Sequence, residues 1–128
     1  MAMTTNDVDF DYLLRSNLQR VFNERDGAKR KTAIAELFVE NPVLYEPTKI
    51  VEGRDAISHV AGELLKQFGP DFSFVPDGVA VGHHGLAHLA WHAGPKHGPV
   101  AVTGADVAEI ENGRISRLWV LLNPPSDR

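Results

Sequence analysis

Hydrophobic and polar positions follow one pattern in the first half of the chain and another in the second. In the first half, apolar residues recur at helical spacing, which predicts helices over about 9–25, 34–38 and 57–68. A short strand is expected at 43–46, because Pro42 ends the second helix. The second half predicts strands at 72–75, 78–82, 86–93, 100–111 and 114–122. Helices followed by an antiparallel meander indicate an α+β fold, with the helices on one face of the sheet.

The last two predicted strands are joined by Asn112-Gly113, a dipeptide typical of tight β-hairpin loops. Both residues tolerate the positive φ of a type I′ turn, so the loop sets the register of the strands. Counting back from Glu111 opposite Arg114 places Asp106 opposite Trp119. Because side chains alternate, one face of the hairpin should carry Gly104, Asp106, Ala108, Ile110, Ile115, Arg117, Trp119 and Leu121.

The opposite face of the hairpin is also largely apolar. It should carry Thr103, Ala105, Val107, Leu118, Val120 and Leu122. One layer of helices covers only one face of a sheet. The second face therefore predicts an association surface, and we expect a sheet-to-sheet homodimer.

Asp106 is unusual because it is a carboxylate in the middle of an apolar strand. Beside Trp119 and Leu121 it must find a charged partner, raise its pKa or face a solvated cavity. Two interpretations stay open. Asp106 is either an acid in a pocket or a structural carboxylate paired with Arg117, which lies diagonally across the hairpin.

Composition narrows the class of protein. With 128 residues and 43% hydrophobic content, the chain is expected to form one domain over 1–128. A net charge of −4 with scattered basic residues argues against nucleic-acid binding, and no apolar run is long enough to span a membrane. The absence of cysteine, and an N-terminus with neither a basic start nor an apolar segment, favour a cytoplasmic protein.

Five of the six histidines lie between His83 and His97, which raises the question of a metal site. His88 and His92 are four residues apart on one strand, about 13 Å, which is too far for one ion. His83 and His84 precede a glycine and are typical of a turn. The sequence therefore predicts no metal and no cofactor, and it leaves open which sheet face His88 and His92 occupy.

Two more segments add a family resemblance. FVENPVLYEP at 38–47 is followed by GRDAI at 53–57, and the Asn112-Gly113 hairpin comes last. With these features the chain resembles the nuclear transport factor 2-like superfamily, and within it the SnoaL-like polyketide cyclases and ketosteroid isomerases. The resemblance implies a cone-shaped barrel of three N-terminal helices packed on a curved antiparallel sheet, with a hydrophobic pocket between helices and sheet.

The same resemblance implies candidate catalytic residues. In ketosteroid isomerases the general base is an aspartate before a proline, and Glu46 occupies this place. A second, protonated acid lies in the penultimate strand, as Asp106 does. The tyrosine that completes that site would fall at Val21 or Phe22 and is absent, which disfavours the steroid reaction. Gly104 stands where limonene-epoxide-hydrolase relatives carry an arginine, which disfavours epoxide hydrolysis.

These observations favour a SnoaL-like enzyme that performs cofactor-free acid–base chemistry, as an isomerase or cyclase does, on a hydrophobic carbonyl substrate. Glu46 would be the base, and Asp106 the acid or the hydrogen-bond donor to the substrate oxygen. Residues expected to contact the substrate are Tyr12, Tyr45, Trp91, Arg117 and Trp119. The alternatives are an ordinary solvated glutamate at position 46, and a non-catalytic ligand-binding or dimerisation module on the same fold.

Overall fold

The computed structural model describes residues 8–125, in which the helices precede most of the strands. In chain order the elements are α1 (Phe10–Ser16), a π-helix (Asn17–Phe22), α2 (Gly27–Leu37), β1 (Phe38–Glu46), β2 (Lys49–Glu52), α3 (Arg54–Phe68), β3 (Phe72–Pro76), β4 (Val81–His83), β5 (Leu86–Pro95), β6 (Val102–Glu111) and β7 (Arg114–Leu122). The predicted helices and strands are confirmed with shifted bounds, and β2 is an additional strand.

Local capping sets where the helices begin and end. The Asp9 carboxylate accepts a hydrogen bond from the N–H of Tyr12 and starts α1, and Asp26 starts α2 in the same way. Gly53 and Gly69 flank α3 with φ of 98° and 91°, a conformation that favours glycine. The three helices therefore have bounds that follow from residues next to them in sequence.

The first helix changes geometry halfway along its length. The π-helix follows α1 directly, and the N–H of Asn23 donates to the carbonyl of Leu18, five residues back, at 2.9 Å. This corrects the prediction of one regular helix over 9–25. Short π-helical turns alter the direction of the side chains and are frequent at functional sites. Here Asn17 and Leu18 are buried.

The seven strands form one open sheet with the order β2-β1-β7-β6-β5-β3, and β4 pairs with β5. Neighbouring strands are antiparallel except β1 and β7, which are parallel. The α+β fold with three helices on a curved sheet is confirmed, but the sheet is mixed and does not close into a barrel. The helices pack on one face, named the inner face, and the largest fully buried apolar residues are Leu14, Leu18, Val21, Ile34, Leu37, Phe38, Leu44, Ile57, Leu89, Ile115 and Leu118.

A β-bulge interrupts the last hairpin close to its turn. Ile110 pairs with Ile115, but the next residue, Glu109, pairs with Arg117. Ser116 is therefore the extra residue of the bulge, and its Oγ donates to the carbonyl of Glu109 at 2.9 Å. Beyond this point every pair is displaced by one residue from the predicted register.

Because of the bulge, the β7 side chains beyond Ser116 lie on the face opposite to the one predicted for them. Asp106 lies opposite Val120, so the prediction that it lies opposite Trp119 is wrong. Leu118 and Val120 belong to the inner face, which also corrects the predicted composition of the association surface. The outer face of the sheet instead carries Tyr45, Ile50, His88, His92, Ala105, Val107, Arg117, Trp119 and Leu121.

The outer face stays accessible in the described chain. Ile50 is 63% exposed and Leu121 is 50% exposed, in contrast to the buried residues beneath the helices. His88 and His92 lie here because they are paired with Val107 and Thr103 of β6. In the described part of the chain, no helix combines the length and the apolar character that a membrane crossing requires.

Candidate acid–base site

A small cavity lies between the helices and the inner face of the sheet. Its free volume is about 30 Å³, which is room for about two water molecules. Five strands contribute one residue each, and the π-helix and α3 supply the rest, so the cavity exists only in the complete fold. The lining residues are Leu18, Phe22, Glu46, Leu64, Phe74, Trp91, Asp106 and Val120.

Asp106 is buried in the wall of this cavity and is only 3% exposed. Trp91 Nε1 donates to its Oδ1 at 3.0 Å, and Asn17 Nδ2 donates to its Oδ2 at 3.5 Å. Burial raises the pKa of Asp106 to about 7, because desolvation disfavours the carboxylate more than the two hydrogen bonds favour it. Near neutral pH both protonation states are populated, so the group can donate as well as accept.

Trp91 reaches Asp106 because a glycine lies beneath its ring. Trp91 is paired with Gly104 on the neighbouring strand. A Cβ at position 104 would lie 2.9 and 3.0 Å from ring atoms Cζ2 and Cη2 of Trp91. Phe74 packs edge-on against the indole with centroids 5.2 Å apart. Glycine at 104 therefore lets the indole lie against β6 with its N–H on the carboxyl group.

Glu46 is the second carboxyl group of the cavity. It is the last residue of β1 and pairs with Lys49 across the turn into β2. Because side chains alternate along a strand, Glu46 points to the inner face while Tyr45 points to the outer face. Its side chain is 14% exposed, and Lys49 Nζ is 3.8 Å from Oε1. The two predicted acids thus line one cavity, with Glu46 next to a surface turn.

Of the aromatic residues expected to contact the substrate, Trp91 alone lines the cavity. Tyr45 and Trp119 stack on each other on the outer face, with ring centroids 4.8 Å apart. Alternation along β1 turns Tyr45 outward, and the bulge does the same for Trp119. Tyr12 is 53% exposed on α1. Its hydroxyl accepts a hydrogen bond from Arg20 at 3.5 Å, so Tyr12 lies outside the cavity that holds Asp106.

Arg117 also lies on the outer face and not beside Asp106. Its Nε is 3.7 Å from Oε1 of Glu109, and both side chains are about half exposed. The alternative in which Arg117 neutralises Asp106 is therefore wrong, because the bulge moves Arg117 to the other side of the sheet. The interpretation that remains for Asp106 is an acid in a cavity.

Asn17 is a site residue that sequence reasoning missed. It is fully buried and contacts Asp106. The sequence does contain a signal, because Asn17 lies four residues from Leu13 and four from Val21 and so places a polar group on the apolar stripe of the first helix. Leu64 and Phe74 also line the cavity, and they lie in a predicted helix and a predicted strand that carry no sign of a role at the site.

The histidines make contacts away from the cavity. The Nδ1 atoms of His83 and His84 are 2.8 Å apart on the turn before β5. His92 Nδ1 is 2.7 Å from Asp77 Oδ1 on the outer face. Within residues 8–125 no three metal-ligating side chains converge. The polar chemistry of the cavity thus comes from two carboxyl groups, one indole N–H and, behind Asp106, one amide.

Crystal structures of bacterial proteins share this fold. A protein of the SnoaL-like family from Agrobacterium tumefaciens, described as a candidate isomerase, aligns with a TM-score of 0.81 and 24% identity over 95% of this chain and 100% of its own. A candidate ketosteroid isomerase from Kribbella flavida aligns with a TM-score of 0.72 and 14% identity over 99% of this chain and 86% of its own. At these identities the likeness shows the fold alone.

Comparison at the level of sequence gives two results. No curated protein sequence matches the chain at a significant level. The family model described as the SnoaL-like domain matches residues 17–118, which include α2, α3, the first six strands and most of β7. The chain therefore belongs to the SnoaL-like family.

Proposed function

We propose that this protein is a cofactor-free enzyme that transfers a proton on a neutral, hydrophobic carbonyl compound. Asp106 carries the proposal, because a buried carboxyl group with a pKa raised to about 7 lines the same cavity as a second carboxylate. Two acids in different environments are what a reaction needs when one group must accept a proton while the other holds one.

In this proposal Glu46 and Asp106 have separate roles. Glu46 removes a proton from the carbon next to the carbonyl group, and the C–H electron pair moves towards the carbonyl oxygen. Protonated Asp106 donates a hydrogen bond to that oxygen as negative charge develops on it. If the substrate carries a C=C bond next to that carbon, the enolate is conjugated, and return of the proton from Glu46 to the far end of the double bond completes an isomerisation. If the enolate attacks a second carbonyl carbon, a ring closes and the alkoxide that forms takes the proton from Glu46.

The lining of the cavity limits the ligand. None of its residues is basic, so an anionic ligand would have no countercharge there. Pockets that hold drug-sized ligands usually have about 300–1,000 Å³. The free volume here is about 30 Å³, so a ring compound enters only if lining side chains such as Leu64 or Phe74 move. This small volume is the observation that favours the alternative of a non-catalytic ligand-binding or dimerisation module, and within it the dimerisation module.

Solvent deuterium exchange tests the proposal without knowledge of the natural substrate. Neutral ketones with acidic α-protons, such as 2-tetralone, are incubated in D₂O with the protein, and loss of the α-proton signal is followed by NMR. We expect catalysed exchange that falls by about 10²–10⁴-fold in Glu46→Gln and by about 10²–10³-fold in Asp106→Asn. It should also fall as pH rises through about 7, because protonated Asp106 is lost.

Glu109→Gln is the matched control, since Glu109 lies on the same strand as Asp106 but on the outer face. Its exchange rate should equal that of the wild type. Ketones that bind in the cavity, seen as shifts of the Trp91 indole resonance, but exchange only at the solvent rate would show a binding module. Catalysed exchange that survives in Glu46→Gln would remove Glu46 as the base.

A further inference from the structure

Asn17 holds a polar atom that the structure leaves without a partner. Its side chain is fully buried, and within residues 8–125 its Oδ1 accepts no hydrogen bond. A buried acceptor without a donor is costly, and native proteins keep few of them. Asn17 Nδ2 points at Oδ2 of Asp106 at 3.5 Å, which is long for a hydrogen bond. The proposed mechanism gives this residue no role.

The two oxygens of Asp106 are held differently. Oδ1 accepts from Trp91 at 3.0 Å, whereas Oδ2 faces only the distant amide of Asn17. An indole N–H is a donor and never an acceptor, so Oδ1 must remain the accepting oxygen. When the carboxyl group is protonated, its proton therefore belongs on Oδ2, on the side of Asn17.

We propose that Asn17 is a positioning residue that serves both protonation states of Asp106. Its amide donates from Nδ2 to the carboxylate, and after a half-turn about χ2 it accepts the Oδ2 proton at Oδ1. The half-turn exchanges a donor for an acceptor at nearly the same position, because the two ends of an amide have the same shape. The proposal rests on the proposed function only in taking Asp106 as the acid of the site.

This arrangement determines where the proton of the acid lies before a ligand enters. In the empty cavity the Oδ2 proton is held by Asn17 in the protein wall. A carbonyl oxygen in the cavity competes with Asn17 Oδ1 for that proton and turns the acid towards the ligand. Asn17 thus keeps the neutral carboxyl group of Asp106 hydrogen-bonded in one orientation until a ligand carbonyl oxygen accepts the proton's hydrogen bond.

NMR titration of the free protein tests this role and needs no substrate. The side-chain amide of Asn17 and the carboxyl carbon of Asp106 are followed between pH 5 and 9. We expect both signals to titrate with one midpoint near 7. In Asn17→Leu, which keeps the size but removes the amide, the midpoint of Asp106 should rise by less than about one unit, because the carboxylate loses a donor while the protonated acid loses an acceptor.

Ser16→Ala is the matched control, since Ser16 is buried next to Asn17 but forms no hydrogen bond to Asp106. It should leave the midpoint of Asp106 unchanged. An Asn17 amide signal that ignores pH while Asp106 titrates near 7 overturns the role of Asn17 and leaves the proposed function intact. This wild-type measurement decides the question even if Asn17→Leu does not fold. A midpoint near 4 for Asp106 would instead refute the proposed function.

Discussion

The inner and outer faces of the sheet are built from alternate residues of the same strands, yet identical chemical groups behave differently on them. On the inner face, the carboxyl group of Asp106 is buried with two neutral donors, and its pKa rises to about 7. On the outer face, three residues along the same strand, Glu109 meets Arg117 at 3.7 Å with both groups half in water. Such exposed pairs contribute little to stability. The face on which each of these two carboxyl groups lies therefore determines whether it is buried with a raised pKa or half exposed beside a charged partner.

One residue decides which face each side chain of β7 occupies. Without the bulge at Ser116, Trp119 would lie beside Asp106, and Val120 would face outward. A shift of one residue moves every side chain beyond it to the other side of the sheet. The cavity is small and apolar at this position because valine, not tryptophan, is the inner residue.

The largest expected effect comes from placing the same charge on each face in turn. Val120→Glu puts a carboxylate beside Asp106 in the apolar cavity and should lower the free energy of unfolding by about 4 kcal/mol or more. Leu121→Glu, one residue further on the outer face, should change monomer stability by about 0.5 kcal/mol at most. Urea unfolding at low protein concentration measures both. Equal losses would mean that the two faces are not distinct.

A second prediction removes the titrating group of the inner face. The folded pKa of Asp106 lies above its unfolded value, so ionisation favours the unfolded chain. The wild type should lose stability as pH rises from about 4 to about 7. Asp106→Asn lacks this loss and should be more stable than the wild type by about 4 kcal/mol at pH 8 but not at pH 4, since three pKa units correspond to about that free energy. Denaturant unfolding at both pH values measures the difference.

Glu109→Gln serves as the control for this prediction, because the outer carboxylate is exposed. It should show no comparable gain at pH 8. Strong destabilisation of Asp106→Asn at pH 8 would contradict the assignment of Asp106 as a neutral acid.

A third prediction concerns the glycine beneath Trp91. Gly104→Ala forces the indole and the backbone of β7 to move, because the new Cβ would meet Trp91 and the carbonyl of Leu121. We expect a loss of about 1–3 kcal/mol, together with a changed Trp91 indole resonance. On the outer face, Ala105→Ser should change stability by about 0.5 kcal/mol at most. An unchanged indole resonance in Gly104→Ala would show that Trp91 does not depend on Gly104.

A fourth prediction tests the outer face as a contact between copies of this chain. We propose that a second copy covers Tyr45, Trp119 and Leu121, because a two-fold contact would cover the same apolar residues on both copies. Sedimentation should show a dimer at micromolar concentration. Leu121→Glu should weaken the dimer at least about tenfold, since it places a charge in the apolar contact of each copy. A wild-type monomer under these conditions would rule the dimer out.

Local patterns in the sequence were enough to predict most of the fold. Helical spacing located the three helices, and the Asn112-Gly113 turn located the last hairpin. β2 was missed because four residues are too few to show alternation. The parallel pairing of β1 with β7 joins distant segments, so no local pattern reports it. The bulge was missed because Ser116 is an ordinary strand residue that carries no marker.

Only some of the site residues could be predicted from the sequence. Asp106 could be found because a carboxylate in an apolar strand is conspicuous, and Glu46 came from the family resemblance. Trp119 was assigned to the pocket on a register that the bulge changes. Asn17 was missed although it interrupts the apolar stripe of the first helix, because its partner Asp106 lies 89 residues away in sequence and no local pattern reports that contact.

The π-helix makes the orientation of Asn17 depend on the number of residues in this helical segment. A π-turn takes one residue more than the α-helical turn it replaces, and each residue turns an α-helix by about 100°. Deleting one residue within Asn17–Phe22 would therefore rotate α1 and Asn17 by about 100° relative to the residues that follow, and the amide of Asn17 would turn away from Asp106.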